Sequence, residues 1–125
     1  MEENSISYDI RGAAFKVHSK LGPGLLESVY ETAMAYELKQ MGYHIKTQVA
    51  VPMMYENIKM DIGFRMDILV NEKVIIEIKS VEGLTAVHHK QLLTYLRLTD
   101  KRLGILINFN ASTLAHSIVR IANNL

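Results

Sequence analysis

One stretch limits the possible folds more than any other: between Ile58 and Val70, the residues Ile58, Met60, Ile62, Phe64, Met66, Ile68 and Val70 alternate with Lys59, Asp61, Gly63, Arg65, Asp67 and Leu69. Period two sends successive side chains to opposite faces, so the run predicts a long strand with one apolar and one polar face. Asn71-Glu72-Lys73 follows as a turn. Val74 to Lys79 then repeats the pattern, with Val74, Ile76 and Ile78 on one side and Ile75, Glu77 and Lys79 on the other. A three-residue loop sets Val70 opposite Val74, and counting back puts Asp67 across from Glu77 and Arg65 across from Lys79. A loop of two or four residues would set Asp67 against Ile78 and mix the faces, so the alternation selects the odd length.

Directly opposed carboxylates repel and weaken a strand pair, which calls for compensation. A divalent cation supplies it, because two carboxylates with water and substrate oxygens make the hard, octahedral donor set that magnesium favours. Lys79 points to the same side as Glu77, where an ammonium can help position or deprotonate an attacking water and offset charge developing on a phosphate. The alternative is an amphipathic hairpin whose solvated face carries mixed charges. These residues alone leave both readings open.

A chain of 125 residues is long enough for one domain with its own core, expected to span residues 1–125. The net charge of +1 neither requires nor excludes a nucleic-acid partner, so any basic surface must be local. With no cysteine there is neither a disulfide framework nor a thiolate zinc site, in keeping with a reducing cytosol. His18, His44, His88, His89 and His116 lack zinc-ligand spacing. No apolar run reaches membrane-spanning length, and Met1-Glu2-Glu3-Asn4 is acidic where a secretory signal is basic; the expectation is a cytoplasmic protein.

The remaining periodicities give the order of elements. Ile10, Ala13, Ala14, Val17 and Leu21 recur at helical spacing until Gly22-Pro23-Gly24 breaks the chain. Leu26, Val29, Tyr30, Ala33, Met34, Leu38 and Met41 mark the apolar face of a second helix, which Gly42 caps. A first strand alternates from Ile45 to Val51 and ends or kinks at Pro52, and Glu56-Asn57 turns into the long strand. After Lys79, Thr85 N-caps a helix that runs to about Thr99, with Leu84, His88, Gln91, Tyr95 and Leu98 as a stripe facing the sheet and Val87, Leu92, Leu93 and Leu96 supporting the helical period. Leu103 to Phe109 reads as a buried strand parallel to its neighbour, and a last helix is expected from about Ser112. The fold class is α/β, with helices around a mixed sheet.

That order, with Asp67 on the second strand and Glu77-Ile78-Lys79 on the third, resembles the αβββαβ core of the PD-(D/E)XK nuclease superfamily, a restriction-endonuclease-like α/β/α sandwich. Gly24-Leu25-Leu26-Glu27-Ser28-Val29-Tyr30 resembles the Gly-x-x-Glu-x-x-Tyr signature of its GxxExxY family. Gln91-Leu92-Leu93-Thr94-Tyr95 is similar to the family's Gln-x-x-x-Tyr motif, and Gly104 to Phe109 to its Gly-x-Leu-Ile-Asn-Phe strand. The proline that gives the superfamily its name is replaced by Met66. The resemblance implies that Asp67, Glu77 and the carbonyl of Ile78 hold magnesium or manganese, that Glu27 adds an acidic group from the helix, and that Lys79 serves the water. Glu27 is also readable as a first-turn glutamate favoured by the helix dipole, and Gln91 either orients Lys79 or a phosphate or is a satisfied core amide.

The function expected from this resemblance is metal-dependent hydrolysis of DNA phosphodiesters. The alternative is a catalytically silent module that binds nucleic acid or a protein partner. Lys59, Arg65, His88, His89 and Lys90 are the candidate phosphate contacts, and they are equally readable as solvated charge. The small size favours a homodimer or a larger complex on DNA. Nothing resembles a P-loop or a helix-turn-helix, so no nucleotide cofactor is expected.

Overall fold

The computed structural model describes residues 2–125, apart from the side chains of Asp61 and Ile62, so their places in the alternation, like the N-terminal Met1, lie outside the described residues. The elements run α1 (Glu3–Leu21), α2 (Glu27–Gln40), β1 (Ile45–Tyr55), β2 (Ile58–Val70), β3 (Val74–Lys79), α3 (Ala86–Thr99), β4 (Leu103–Asn108), a 3-10 turn (Leu114–His116) and β5 (Ile118–Ala122). The strands form one sheet in sequence order. All neighbours are antiparallel except β3 and β4, which are parallel and joined through α3, as a parallel pair requires a crossover.

Both faces of the sheet are covered. On one, α1 and α2 bring Ile6, Ile10, Tyr30, Met34 and Leu38 onto Ile68, Ile76, Ile78, Ile105 and Ile107. On the other, Leu92, Tyr95 and Leu96 of α3 close over Leu69, Ile75 and Leu106. The inner half of the hairpin therefore lacks the polar face that the alternation predicts: Leu69, Ile75 and Glu77 are all buried. Leu21, Leu26, Val29 and Met41, expected on apolar helix faces, are exposed, as are Val87 and Leu98 of α3. A helix packed on a flat sheet buries a stripe narrower than its apolar residues span.

Helix α2 ends in a Schellman motif. The amide of Gly42 (φ 93) donates to Lys39 at 2.9 Å and that of Tyr43 to Leu38 at 3.2 Å, satisfying carbonyls that the helix leaves open. The hairpin loop has the odd length expected, with Val70 paired to Val74. Lys73 donates its amide to the carbonyl of Val70 at 2.9 Å, while Asn71 and Glu72 take φ of 52 and 58.

Two further expectations change, and one is met in its second form. The strict alternation of β2 fails at Asp67: Met66 and Phe64 pack on the α3 side with Leu69, not with Ile68 and Val70. The cause lies in the partner strand, where Gln48 has φ 52, a left-handed conformation that bends β1 and β2 together. At Pro52, where an end or a kink is expected, β1 takes the second course: it continues to Tyr55 with a register shift between Val51 and Met53, and as an edge strand it accepts proline without losing a ladder bond. Gly63 faces this shift, and a Cβ there would stand 2.5 Å from the carbonyl oxygen of Val51. Finally, the helix expected from Ser112 is a 3-10 turn followed by β5. Ile118, Val119 and Ile121 are β-branched and pair along the otherwise open edge of β4, where they pack on both cores.

Candidate active site

The ladder between β2 and β3 closes at Ile68 and Ile76. One residue further, the strands separate and side chains replace backbone: Asp67 Oδ2 accepts the amide of Ile78 at 2.7 Å, and Glu77 Oε1 accepts the amide of Asp67 at 3.3 Å. Asp67 and Glu77 are thus brought together as the loop length predicts, although through a fork in the sheet and not across a rung. Arg65 is not drawn to Lys79; its Nη1 donates to the carbonyl of Gln48 at 3.2 Å. The N–H and C=O of a strand residue point the same way, so the Ile78 carbonyl also faces the fork, whereas that of Lys79 turns to β4 and accepts from Phe109 at 2.9 Å.

Glu77 is buried at 5% exposure. Burial, then the charge of Asp67, pushes its carboxyl up to about 9. Asp67 is also raised, by burial first and by the Glu27 charge, against the lowering effect of the Ile78 amide, Glu77 and the Lys79 ammonium. Two carboxyl groups held together under α3 beside one ammonium fit a hard divalent cation, whose charge would offset the burial and the Asp67 charge that push Glu77 up. Among the described residues no three His, Asp or Glu side chains gather into a ready metal cage.

Glu27 reaches the same end of β3. Its Oε2 accepts the Ser80 amide at 3.1 Å, and Ser80 Oγ donates to the Leu25 carbonyl at 2.6 Å. Tyr30 fixes this approach: its hydroxyl donates to Gly22 at 2.6 Å and accepts from the Leu25 amide at 3.1 Å, while its ring stacks on Phe109 at 4.5 Å. On the far side, Asn108 copies a peptide group, donating to the Val81 carbonyl at 3.0 Å and accepting the Val81 amide at 3.1 Å. The chain leaving Lys79 is thereby held from both sides.

Tyr95 covers the carboxyl pair from α3. Burial, with the charges of Glu77 and Asp67, pushes its phenol up to about 12, so it stays a neutral donor. Gln91 lies one helical turn earlier and is half-buried, and among the described hydrogen bonds none joins it to Asp67, Glu77 or Lys79. His88 and His89 are engaged in starting α3: His88 Nδ1 accepts the Thr85 amide at 3.0 Å, and His89 Nδ1 lies 2.9 Å from the Thr85 carbonyl. Lys90 is exposed on the same helix. Lys59 and Arg65 share a hollow of about 410 Å³ on the β1–β2 hairpin, next to Pro52 and Gly63.

Two neighbours were not anticipated from the sequence. Gln48 donates to Glu31 Oε1 at 2.6 Å and stands 3.4 Å from Asp67 Oδ1. Glu31 is raised by burial and by the Asp67 charge, against its bond to Gln48. A signal existed for Glu31, four residues after Glu27 and so on the same helical face. No pattern marked Gln48.

Comparison with known proteins adds family evidence. The sequence pattern of the PD-(D/E)XK nuclease superfamily matches residues 4–121. A solved structure, described as "Crystal structure of SSO0001", is similar over 94% of this chain at 22% identity and a TM-score of 0.49, and the present chain spans 63% of that one. No curated protein matches.

Proposed function

From the premise that the chain belongs to the PD-(D/E)XK nuclease superfamily, with its restriction-endonuclease-like α/β fold, we propose that it is a divalent-metal-dependent nuclease of the GxxExxY type that hydrolyses DNA phosphodiester bonds. The observation that supports this reading best is the fork at Asp67 and Glu77, where the buried Glu77 carboxyl, the half-buried Asp67 carboxyl and the Lys79 amine meet and the two carboxyls take the strand amides of Asp67 and Ile78. Asp67, Glu77 and the Ile78 carbonyl would hold magnesium or manganese, with Glu27 close by. When bound, the cation supplies positive charge that polarises a phosphoryl oxygen and acidifies water.

The chain's own groups have distinct tasks. Lys79 donates hydrogen bonds to the attacking water and to the phosphate, placing the water in line with the leaving oxygen. The water oxygen forms the new bond to phosphorus and gives up a proton to solvent as the P–O bond to the leaving sugar oxygen breaks, and that oxygen takes up a proton from solvent, so one water is added across the bond. Tyr95 and α3 close the site from above and keep bulk water from the carboxyl pair. Lys59 and Arg65, in their hollow on the hairpin, suit contacts to neighbouring phosphates that carry position and not sequence.

The test pairs binding with cleavage. Wild type should bind manganese in a calorimetric titration and cut linear or circular DNA only when metal is present. Asp67→Asn should lose both. Lys79→Met should retain metal and DNA binding but lose turnover by about 100-fold or more. Metal-dependent cleavage retained by a clean Asp67→Asn preparation would refute the assignment. Saturable DNA binding without cleavage by wild type would point instead to a silent binding module.

A further inference from the structure

Asp67 is held at both oxygens, and the second hold comes from outside the hairpin. Oδ2 takes the Ile78 amide at 2.7 Å, while Oδ1 faces the Gln48 side-chain amide at 3.4 Å. That amide makes its shorter bond, 2.6 Å, to Glu31 on α2. A primary amide has two N–H donors and one acceptor oxygen. With carboxylates on two sides, only the NH2 end can face them, so Glu31 fixes which end of the amide Asp67 meets.

The backbone of Gln48 gives an independent sign. Its φ of 52 is a left-handed conformation that strains a residue carrying a Cβ, and Arg65 Nη1 donates to its carbonyl at 3.2 Å. Extended backbone at position 48 would continue the strand and the alternation of β2. The chain instead adopts the strained form at the residue whose side chain bridges α2 and Asp67, and such strain persists where surrounding contacts enforce it.

We propose that Glu31 and Gln48 form a positioning pair that aims Asp67 at the cation site. The inference rests on the metal-dependent reading above and adds to it two residues that touch no reacting atom. Glu31 orients the amide, the amide steadies Oδ1, and the Ile78 amide steadies Oδ2. Asp67 is thus set for cation binding before any cation arrives. Outer groups of this kind typically change metal affinity or activity by about 10- to 100-fold when removed.

Gln48→Gly is the informative variant, because glycine accepts φ near 52 freely and so removes the amide without straining the backbone; Glu31→Gln is its partner. On metal-free, 15N-labelled protein, both should keep the wild-type melting temperature to within a few degrees, with Gln48→Gly at or above it. Exchange of the Ile78 amide should accelerate about tenfold in Gln48→Gly as Asp67 loses its second hold. The manganese dissociation constant by calorimetry should rise tenfold or more in both variants. Unchanged Ile78 exchange together with an unchanged manganese constant overturns the proposal. If wild type neither binds manganese nor cleaves DNA while Ile78 exchange still responds to Gln48→Gly, the positioning of Asp67 stands and the nuclease reading falls.

Discussion

Burial and the charge of Asp67 hold Glu77 near 9, so at neutral pH the metal-free site carries a proton that the unfolded chain, with Glu77 at its ordinary 4.5, has released. The folded state therefore binds more protons than the unfolded state between those values, and stability must fall as pH rises through that window. Glu77→Gln removes the ionisation while filling the same space. We expect urea titrations at pH 6 and pH 8 to show a smaller decline for this variant than for wild type, and its melting temperature at pH 8 to be higher by about 4 °C or more; a decline equal to that of wild type would show that the Glu77 proton is not its source. Asp67, Glu77 and Lys79 were legible in the sequence because one loop length and strict alternation fix their relation. Gln48 was not, since it joins them only through a left-handed φ on another strand, and a period-two pattern carries no sign of such a kink.

At the scale of elements, alternation reported strands faithfully and faces poorly. Helices cover both sides of the inner sheet, so residues such as Leu69 and Ile75 are buried on the side expected to be polar, and the bend at Gln48 carries Phe64 and Met66 across to the α3 core. The strand β5 escaped notice because Ile118–Ala122 is short and its merit is its partner, the open edge of β4. The Gly-x-Leu-Ile-Asn-Phe strand, read first as a resemblance, now has mechanical content. A Cβ on Gly104 would lie 2.9 Å from three atoms of the Leu92 side chain, Asn108 clasps Val81, and Phe109 supports Tyr30. Gly104→Ala should cost about 1–3 kcal/mol as α3 is displaced, read as a lower urea midpoint with an unchanged slope. Asn108→Ala takes away the acceptor of the Val81 amide and one of the two donors to the Val81 carbonyl, which keeps Asn110 Nδ2 at 3.2 Å, and should cost about 1–3 kcal/mol. It should also open the chain between Lys79 and Thr85 to faster amide exchange, and protection there equal to wild type would deny Asn108 its part.

Across the whole molecule, cation binding and folding should be linked, because the carboxyl pair that repels in the metal-free protein exists only when β2 and β3 are assembled. Manganese at about 100 times its dissociation constant should stabilise the fold by about 2.7 kcal/mol, and a chelator should reverse this. At fixed manganese the rise in melting temperature should be larger at pH 8 than at pH 6, since binding must expel the Glu77 proton. Asp67→Asn should show no rise at either pH, and a rise equal to wild type would place the cation elsewhere. Among the described residues no helix is long and apolar enough to cross a membrane. The β1–β2 hairpin has a different bearing on the molecule. Beyond the register shift at Pro52 its outer rungs leave both cores, and Met54, Tyr55, Ile58 and Met60 stand exposed. Heredity can therefore treat this arm as an adjustable rule. Because side chains change face at each step, a lineage can lengthen or shorten it in pairs of residues per strand and keep every remaining side chain on its own face, whereas an odd change turns the tip over. The length of the arm can thus drift in even increments while the fork at Asp67 and Glu77 keeps its geometry.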